Sequence, residues 1–117
     1  MSGWRNLDRH TKFGNTPMRC RLNQFHQSKA EARHCDELHI LEAAGEISDL
    51  KAHPQPIYPL EVNGRKVTSY RGDFEYLDRD GVLVTEDVKG MKTEVYLLKA
   101  KLFAALLGRE IREVRAR

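Results

Sequence analysis

Two turn signals, Asn63-Gly64 and Asp78-Arg79-Asp80-Gly81, constrain this chain more than any other feature of its sequence. Asn-Gly accepts the positive φ that a two-residue hairpin demands, so the extended segments beside it must pair antiparallel. With the turn at Asp78 to Gly81, the segments Ile57 to Val62, Lys66 to Leu77 and Val82 to Lys89 read as a three-strand meander. Pro59 cannot donate to a ladder, which places the first segment at a sheet edge. Helical periods flank the meander. Cys35, Leu38, Leu41 and Ala44 recur at three-to-four spacing between Ser28, a good N-cap, and Gly45, a stop. Thr93 can cap a second helix through Leu107, with Val95, Leu98, Leu102 and Leu106 on one face. Glu110 to Val114 alternates like a last short strand. The predicted order is helix–strand–strand–strand–helix–strand, an α/β domain with a mixed α+β sheet.

At 117 residues there is room for one core, which we place over residues 27–117 behind a basic, loosely ordered arm over 1–26. No apolar stretch approaches the ~20 residues of a membrane span, and the first residues lack the apolar run of a signal peptide. Cys20 and Cys35 are too few for a disulfide scaffold, so a reducing cytoplasm is the expected setting. Charge is segregated. Residues 1–27 hold five Lys or Arg, Arg19 and Arg21 among them, against Asp8, and residues 99–117 hold six against two acids. The middle carries nine bases and fourteen acids. Basic ends around an acidic centre suit a protein that grips a polyanion and holds a cation. Solvated, charged termini are the plain alternative.

Strand alternation sets which side chains share a face. On the third strand Asp87 and Lys89 point to one side, and the antiparallel second strand can bring Asp73 beside Asp87. Its other face, Thr68, Tyr70, Gly72, Phe74 and Tyr76, is apolar and aromatic. Converging carboxylates bind Mg²⁺ or Mn²⁺, and a lysine beside them can orient or deprotonate water or stabilise a phosphorane. Glu31, in the first turn of the first helix, could complete the set. It equally fits a capping box with Ser28.

Ser28-Lys29-Ala30-Glu31, Arg71-Gly72-Asp73-Phe74 and Glu86-Asp87-Val88-Lys89-Gly90-Met91-Lys92-Thr93 together resemble the PD-(D/E)xK nuclease superfamily. More narrowly, the chain is similar to a family of small phage and prophage proteins catalogued as a domain of unknown function. The resemblance runs from about Ser28 to Val114 and implies a restriction-endonuclease-like core. It implies Asp73 as the acid of the second strand, Asp87 and Lys89 as the acid-x-lysine pair, and Glu31 as the first-helix acid. Gly72 stands where the motif name has proline, and Asp87 replaces the longer glutamate.

The expected activity is therefore Mg²⁺-dependent (or Mn²⁺-dependent) hydrolysis of DNA phosphodiesters, the metal held by Asp73 and Asp87, with Glu31 and the Val88 carbonyl, while Lys89 positions the nucleophile. Small dimeric junction-resolving enzymes in that superfamily make Holliday junctions or other branched DNA the first substrate class and a homodimer the expected state. A sequence-specific or mismatch nicking enzyme and a non-cleaving DNA-binding accessory protein are the alternatives. Lys92, Tyr96 and Lys99 line one side of the second helix and could meet phosphates, as could Arg19 and Arg21. Trp4, Phe13 and Phe25 could stack on unpaired bases. Cys20, His26, Cys35 and His39 have spacing that a zinc ion could use, although a core cysteine and scattered histidines is the more ordinary reading. Asp78 and Asp80 read as turn residues, not as a calcium loop.

Overall fold

The computed structural model describes residues 17–22, 25–26, 28–53 and 55–116. Its elements are β1 (Met18–Arg19), β2 (Phe25–His26), α1 (Lys29–Ala43), β3 (Ser48–Lys51), β4 (Ile57–Val62), β5 (Arg65–Arg71), β6 (Phe74–Leu77), β7 (Leu83–Lys89), α2 (Glu94–Leu107) and β8 (Arg112–Arg115). A four-stranded sheet runs β3-β6-β7-β8. Its first three strands are antiparallel, and β8 returns parallel to β7 after the α2 crossover. The fold is thus mixed α/β, and around this sheet the order is helix, three strands, helix, strand.

The strands filling that order differ from those expected. Ile57–Val62 and Arg65–Arg71 form a separate two-stranded hairpin, turned by Asn63 (φ 52°) and Gly64 (φ 78°). The sheet takes Ser48–Lys51 as its first antiparallel strand instead. That segment has one apolar residue, Leu50, and a positive φ at Asp49, so it shows no alternation to read. The expected strand from Lys66 to Leu77 is broken at Gly72-Asp73. Here the backbone passes so close to β7 that a Cβ on residue 72 would lie 2.8 Å from Thr85 Cγ2. Only glycine fits. The break resets the alternation, so Tyr70 joins one core while Phe74 and Tyr76 join the other. The face predicted to carry Thr68, Tyr70, Gly72, Phe74 and Tyr76 together does not exist.

One core lies between α1 and the sheet, where Cys35 and Leu38 meet Ile47, Phe74 and Tyr76. Ser28 caps α1, its Oγ accepting from the Glu31 amide at 3.1 Å, and Gly45 follows the helix end with φ 80°. The second core joins α2 to the hairpin through Leu60, Tyr70, Tyr96 and Phe103, with Phe103 edge-on to Tyr58 and Tyr70 at 5.3 and 5.4 Å. These aromatics displace the expected stripe. Val95 is 62% exposed and Leu98 66% exposed, so that face of α2 turns outward. Apolar residues occur nearly all round this helix, and periodicity could not rank them.

Asp78 Oδ1 accepts from the amides of Asp80 and Val82, which makes the 78–81 segment a turn, as expected. Residues 17–22 and 25–26, assigned above to a loose arm, are docked: Cys20 and His26 are buried. Trp4 and Phe13 lie outside the described residues, and so does the side chain of Phe25. No helix among the described residues is long and apolar enough to cross a membrane.

Candidate metal and phosphate site

An open cleft of about 510 Å³ lies where β7, the Gly72-Asp73 break and the starts of α1 and α2 meet. Glu31, Asp73, Asp87, Val88 and Lys89 all line it. Residues 42 positions apart in the chain or more are thus brought together from α1 and the sheet.

Asp87 is buried near the end of β7, and both its oxygens are engaged. Tyr70 donates its hydroxyl to Oδ2 at 2.6 Å, and Lys89 Nζ stands 3.2 Å from Oδ1. Asp73 sits at the strand break, where its amide donates to the Glu86 carbonyl at 2.9 Å. Its Oδ2 accepts from the Val88 amide at 2.7 Å, so the side chain closes a gap in the ladder. Burial raises the Asp73 pKa well above the ordinary carboxylate value, and the charges of Glu31 and Asp87 add to it; the Val88 amide only partly offsets this. Lys89 Nζ lies 3.9 Å over the Tyr96 ring, a cation–π contact that fixes the ammonium beside Asp87. Glu31 turns Oε1 toward His26 Nδ1, 3.3 Å away.

Three carboxylates therefore share one cleft with a single lysine. Their oxygen-only donor set, with Val88 at the same wall, fits a hard divalent cation such as Mg²⁺ or Mn²⁺, which would relieve the repulsion that raises Asp73. Thr93, the N-cap of α2, rims the cleft. The positive end of that 14-residue helix favours phosphate there.

The other expected nucleic-acid contacts are placed differently. Tyr96 is buried, donates to Glu113 at 2.8 Å and lies beneath the Lys89 ammonium. Lys92 is half-exposed and paired with Glu113 at 2.7 Å. Lys99, two turns along α2, is outside the cleft lining. Arg19 and Arg21 are exposed on the docked segment by α1, and the Arg21 amide donates to Asp36. Arg115 was not singled out by sequence reasoning. It is registered with Lys89 across β7 and β8, and both line a second cleft that continues from the first past Lys92. Tyr70 was also missed, because its link to Asp87 depends on the alternation reset at Gly72.

Two more acids on the same strands are buried but compensated. Glu86 meets His34 Nε2 at 2.7 Å, Arg112 Nε at 3.6 Å and the Tyr76 hydroxyl. Glu75 accepts from Thr85 at 2.9 Å and from Tyr58, with Arg109 at 3.9 Å. On the far side of His26, Cys20 and Cys35 approach its ring. Burial pushes the Cys35 thiol up to about 12. His39, expected with them, contacts Cys35 alone: its Nδ1 lies 2.8 Å from the Cys35 carbonyl and 3.5 Å from the Cys35 sulfur.

Neither the curated proteins nor the solved structures contain a match to this chain. A family model described as a protein of unknown function matches residues 11–116, nearly the whole length. The chain belongs to that family, DUF1064.

Proposed function

We propose that this protein is a divalent-metal-dependent endonuclease of the PD-(D/E)xK type, acting on DNA phosphodiesters. The observation that carries the reading is the convergence of Asp73, Asp87 and Glu31 with Lys89 in one open cleft. Glu75 on β6 and Glu86 on β7 each accept from one tyrosine hydroxyl and face a cation. The cleft acids have Lys89 and His26 to share, which leaves a net negative site suited to Mg²⁺ or Mn²⁺.

Asp73 and Asp87 would hold the metal, with Glu31 and the Val88 carbonyl completing the shell. When bound, the ion would supply Lewis acidity toward a phosphoryl oxygen and would acidify water. Lys89, held between Asp87 and the Tyr96 face, orients the attacking water and donates to the oxygen that gains charge at phosphorus. Tyr70 fixes the Asp87 rotamer. The Val88 amide does the same for Asp73, so neither acid has to reorganise when substrate arrives. The start of α2, Lys92 and Arg115 give the strand a route past the site. The cleft is open to solvent, which fits recognition of backbone shape more than of base edges. Branched DNA is the first substrate class on that ground.

Incubating the protein with labelled junction, flap, duplex and single-stranded DNA, in Mg²⁺ and in chelator, tests the proposal. Cleavage of the branched forms in Mg²⁺ alone is expected. Binding of all four forms without cleavage in Mg²⁺ or Mn²⁺ would establish the accessory-protein alternative.

A further inference from the structure

We propose that Cys20, His26, Cys35 and His53 bind one structural zinc ion that pins the β1–β2 segment to α1. Donor atoms of Cys20, His26 and Cys35 lie within 4.8 Å of one another, and all three residues are buried. His53 supplies the fourth donor by moving toward the thiols, since only Cys20, His26 and Cys35 already lie within 4.8 Å of one another. Its Nε2 is 3.3 Å from His26 Nε2, with the rings nearly edge-on at 4.7 Å between centroids. Zinc bonds of ~2.0–2.1 Å to nitrogen and ~2.3 Å to sulfur give tetrahedral edges of ~3.3 Å between nitrogens and ~3.8 Å between sulfurs. The two imidazoles already stand at the first of these separations. The two sulfurs lie within 4.8 Å of each other and close to ~3.8 Å on binding.

The tautomers agree with this use. His26 Nδ1 faces the Glu31 carboxylate, so it carries the proton and leaves the Nε2 lone pair toward His53. A carboxylate on the outer nitrogen of a histidine ligand is the usual second contact of a zinc site. His39 Nδ1 lies 2.8 Å from the Cys35 carbonyl and 3.5 Å from the Cys35 sulfur, but His39 does not join Cys20 and His26 in one cluster, so it is the weaker fourth donor. Two thiolates with two imidazoles select zinc over the hard cations suited to the oxygen-lined cleft. On binding, each thiol loses its proton to solvent as a metal–sulfur bond forms, with no change of oxidation state.

The fold gives the ion a purpose. β1 and β2 are two residues each, and such a pair has no independent stability. Met18 and Leu22 remain exposed, so Cys20 is the main apolar anchor of the β1 side. A metal crosslink to Cys35 on α1 and to His53 beyond β3 holds the segment and fixes the His26 ring against Glu31. The proposal stands apart from the nuclease reading, because it concerns a different donor set on the other side of His26.

Metal analysis and Co²⁺ replacement on the full chain test it. The reduced protein should retain one zinc per chain, released in step with two thiols on mercurial titration. Co²⁺ should give the strong visible bands of a tetrahedral site with thiolate charge transfer. Cys35→Ser and His53→Ala should weaken binding by more than about a hundredfold, while His39→Ala and Asp87→Asn leave it unchanged. If the cysteine variants fail to fold, thiol-coupled release from wild type still decides. Zinc-free reduced protein with a weak octahedral Co²⁺ spectrum would overturn the site. Loss of the spectrum in His39→Ala with retention in His53→Ala would overturn the fourth ligand.

Discussion

Asp87 and Glu86 are neighbours on one strand, both buried, and they point to opposite faces with opposite solutions to the same problem. A buried carboxylate is tolerated when its charge is met by hydrogen bonds and a cation. Glu86 has all of these, with Tyr76, His34 and Arg112 around it. Asp87 has Tyr70 and Lys89, while Asp73 and Glu31 line the same cleft with no second lysine or arginine in its wall. The face toward α1 spends its acid on holding helix to sheet. The face toward the cleft keeps a charge deficit that a metal ion can fill. A count of acidic residues would not separate the two; the inventory of partners does.

Breaking each face should therefore have different consequences. Asp87→Asn should reduce cleavage by about a thousandfold or more, roughly 4 kcal/mol, while the melting temperature holds or rises. Glu86→Ala should do the reverse. It leaves the Tyr76 hydroxyl and the His34 ring without their acceptor and should cost about 3 kcal/mol of stability, read by denaturant unfolding, with cleavage per folded molecule retained. Gly72→Ala sharpens the comparison at the crossing between the faces. The new methyl would strike Thr85 Cγ2, and a loss of about 2 kcal/mol is expected, along with a displaced Asp73. A wild-type stability curve for that variant would mean the crossing is looser than the geometry requires.

Asp73→Asn gives a smaller effect of opposite sign. The raised pKa of Asp73 means that its ionised form is disfavoured in the fold, so neutral pH costs stability that is absent below its unfolded pKa. Removing the charge should raise the metal-free melting point by a few degrees, about 1 kcal/mol, and remove the further rise that Mg²⁺ gives wild type. The smallest effect belongs to His34. Burial alone would lower its pKa, but the hydrogen bond and charge of Glu86, with Glu37, outweigh burial and raise it. Its contribution is full below the unfolded value of about 6.5 and is lost as pH rises through the folded value. His34→Gln should flatten the fall in stability across that window. An unchanged pH slope would show that His34 does not gain charge from Glu86.

Much of this was legible in the sequence, and the exceptions have physical causes. Ser28, Gly45, Thr93 and Gly108 mark both helices, and Asn63-Gly64 marks the hairpin, because caps and turns are local chemistry. The cleft set was legible because Asp87 and Lys89 sit two apart on a strand, with Asp73 near the antiparallel partner. The break at Gly72 was not legible: its cause is Thr85, thirteen residues away. The same distance hid Tyr70 and reassigned Phe74 and Tyr76. On α2, Tyr96 and Phe103 won the buried face from Val95 and Leu98 because the hairpin offers Tyr58 and Tyr70 to pack against. His53 was passed over because its nearness to His26 arises only when β3 joins the sheet.

The central claim is that charge-deficient acids on one face of β7 form a metal-dependent nuclease site while compensated acids on the other face are structural. Single-turnover cleavage of a labelled DNA junction across a Mg²⁺ titration, comparing wild type, Asp87→Asn and Glu86→Gln at equal folded concentration, tests it most directly. The account predicts Mg²⁺-dependent cleavage by wild type and Glu86→Gln, with none above background for Asp87→Asn. Equal cleavage by Asp87→Asn and wild type, or loss in Glu86→Gln alone, would contradict it.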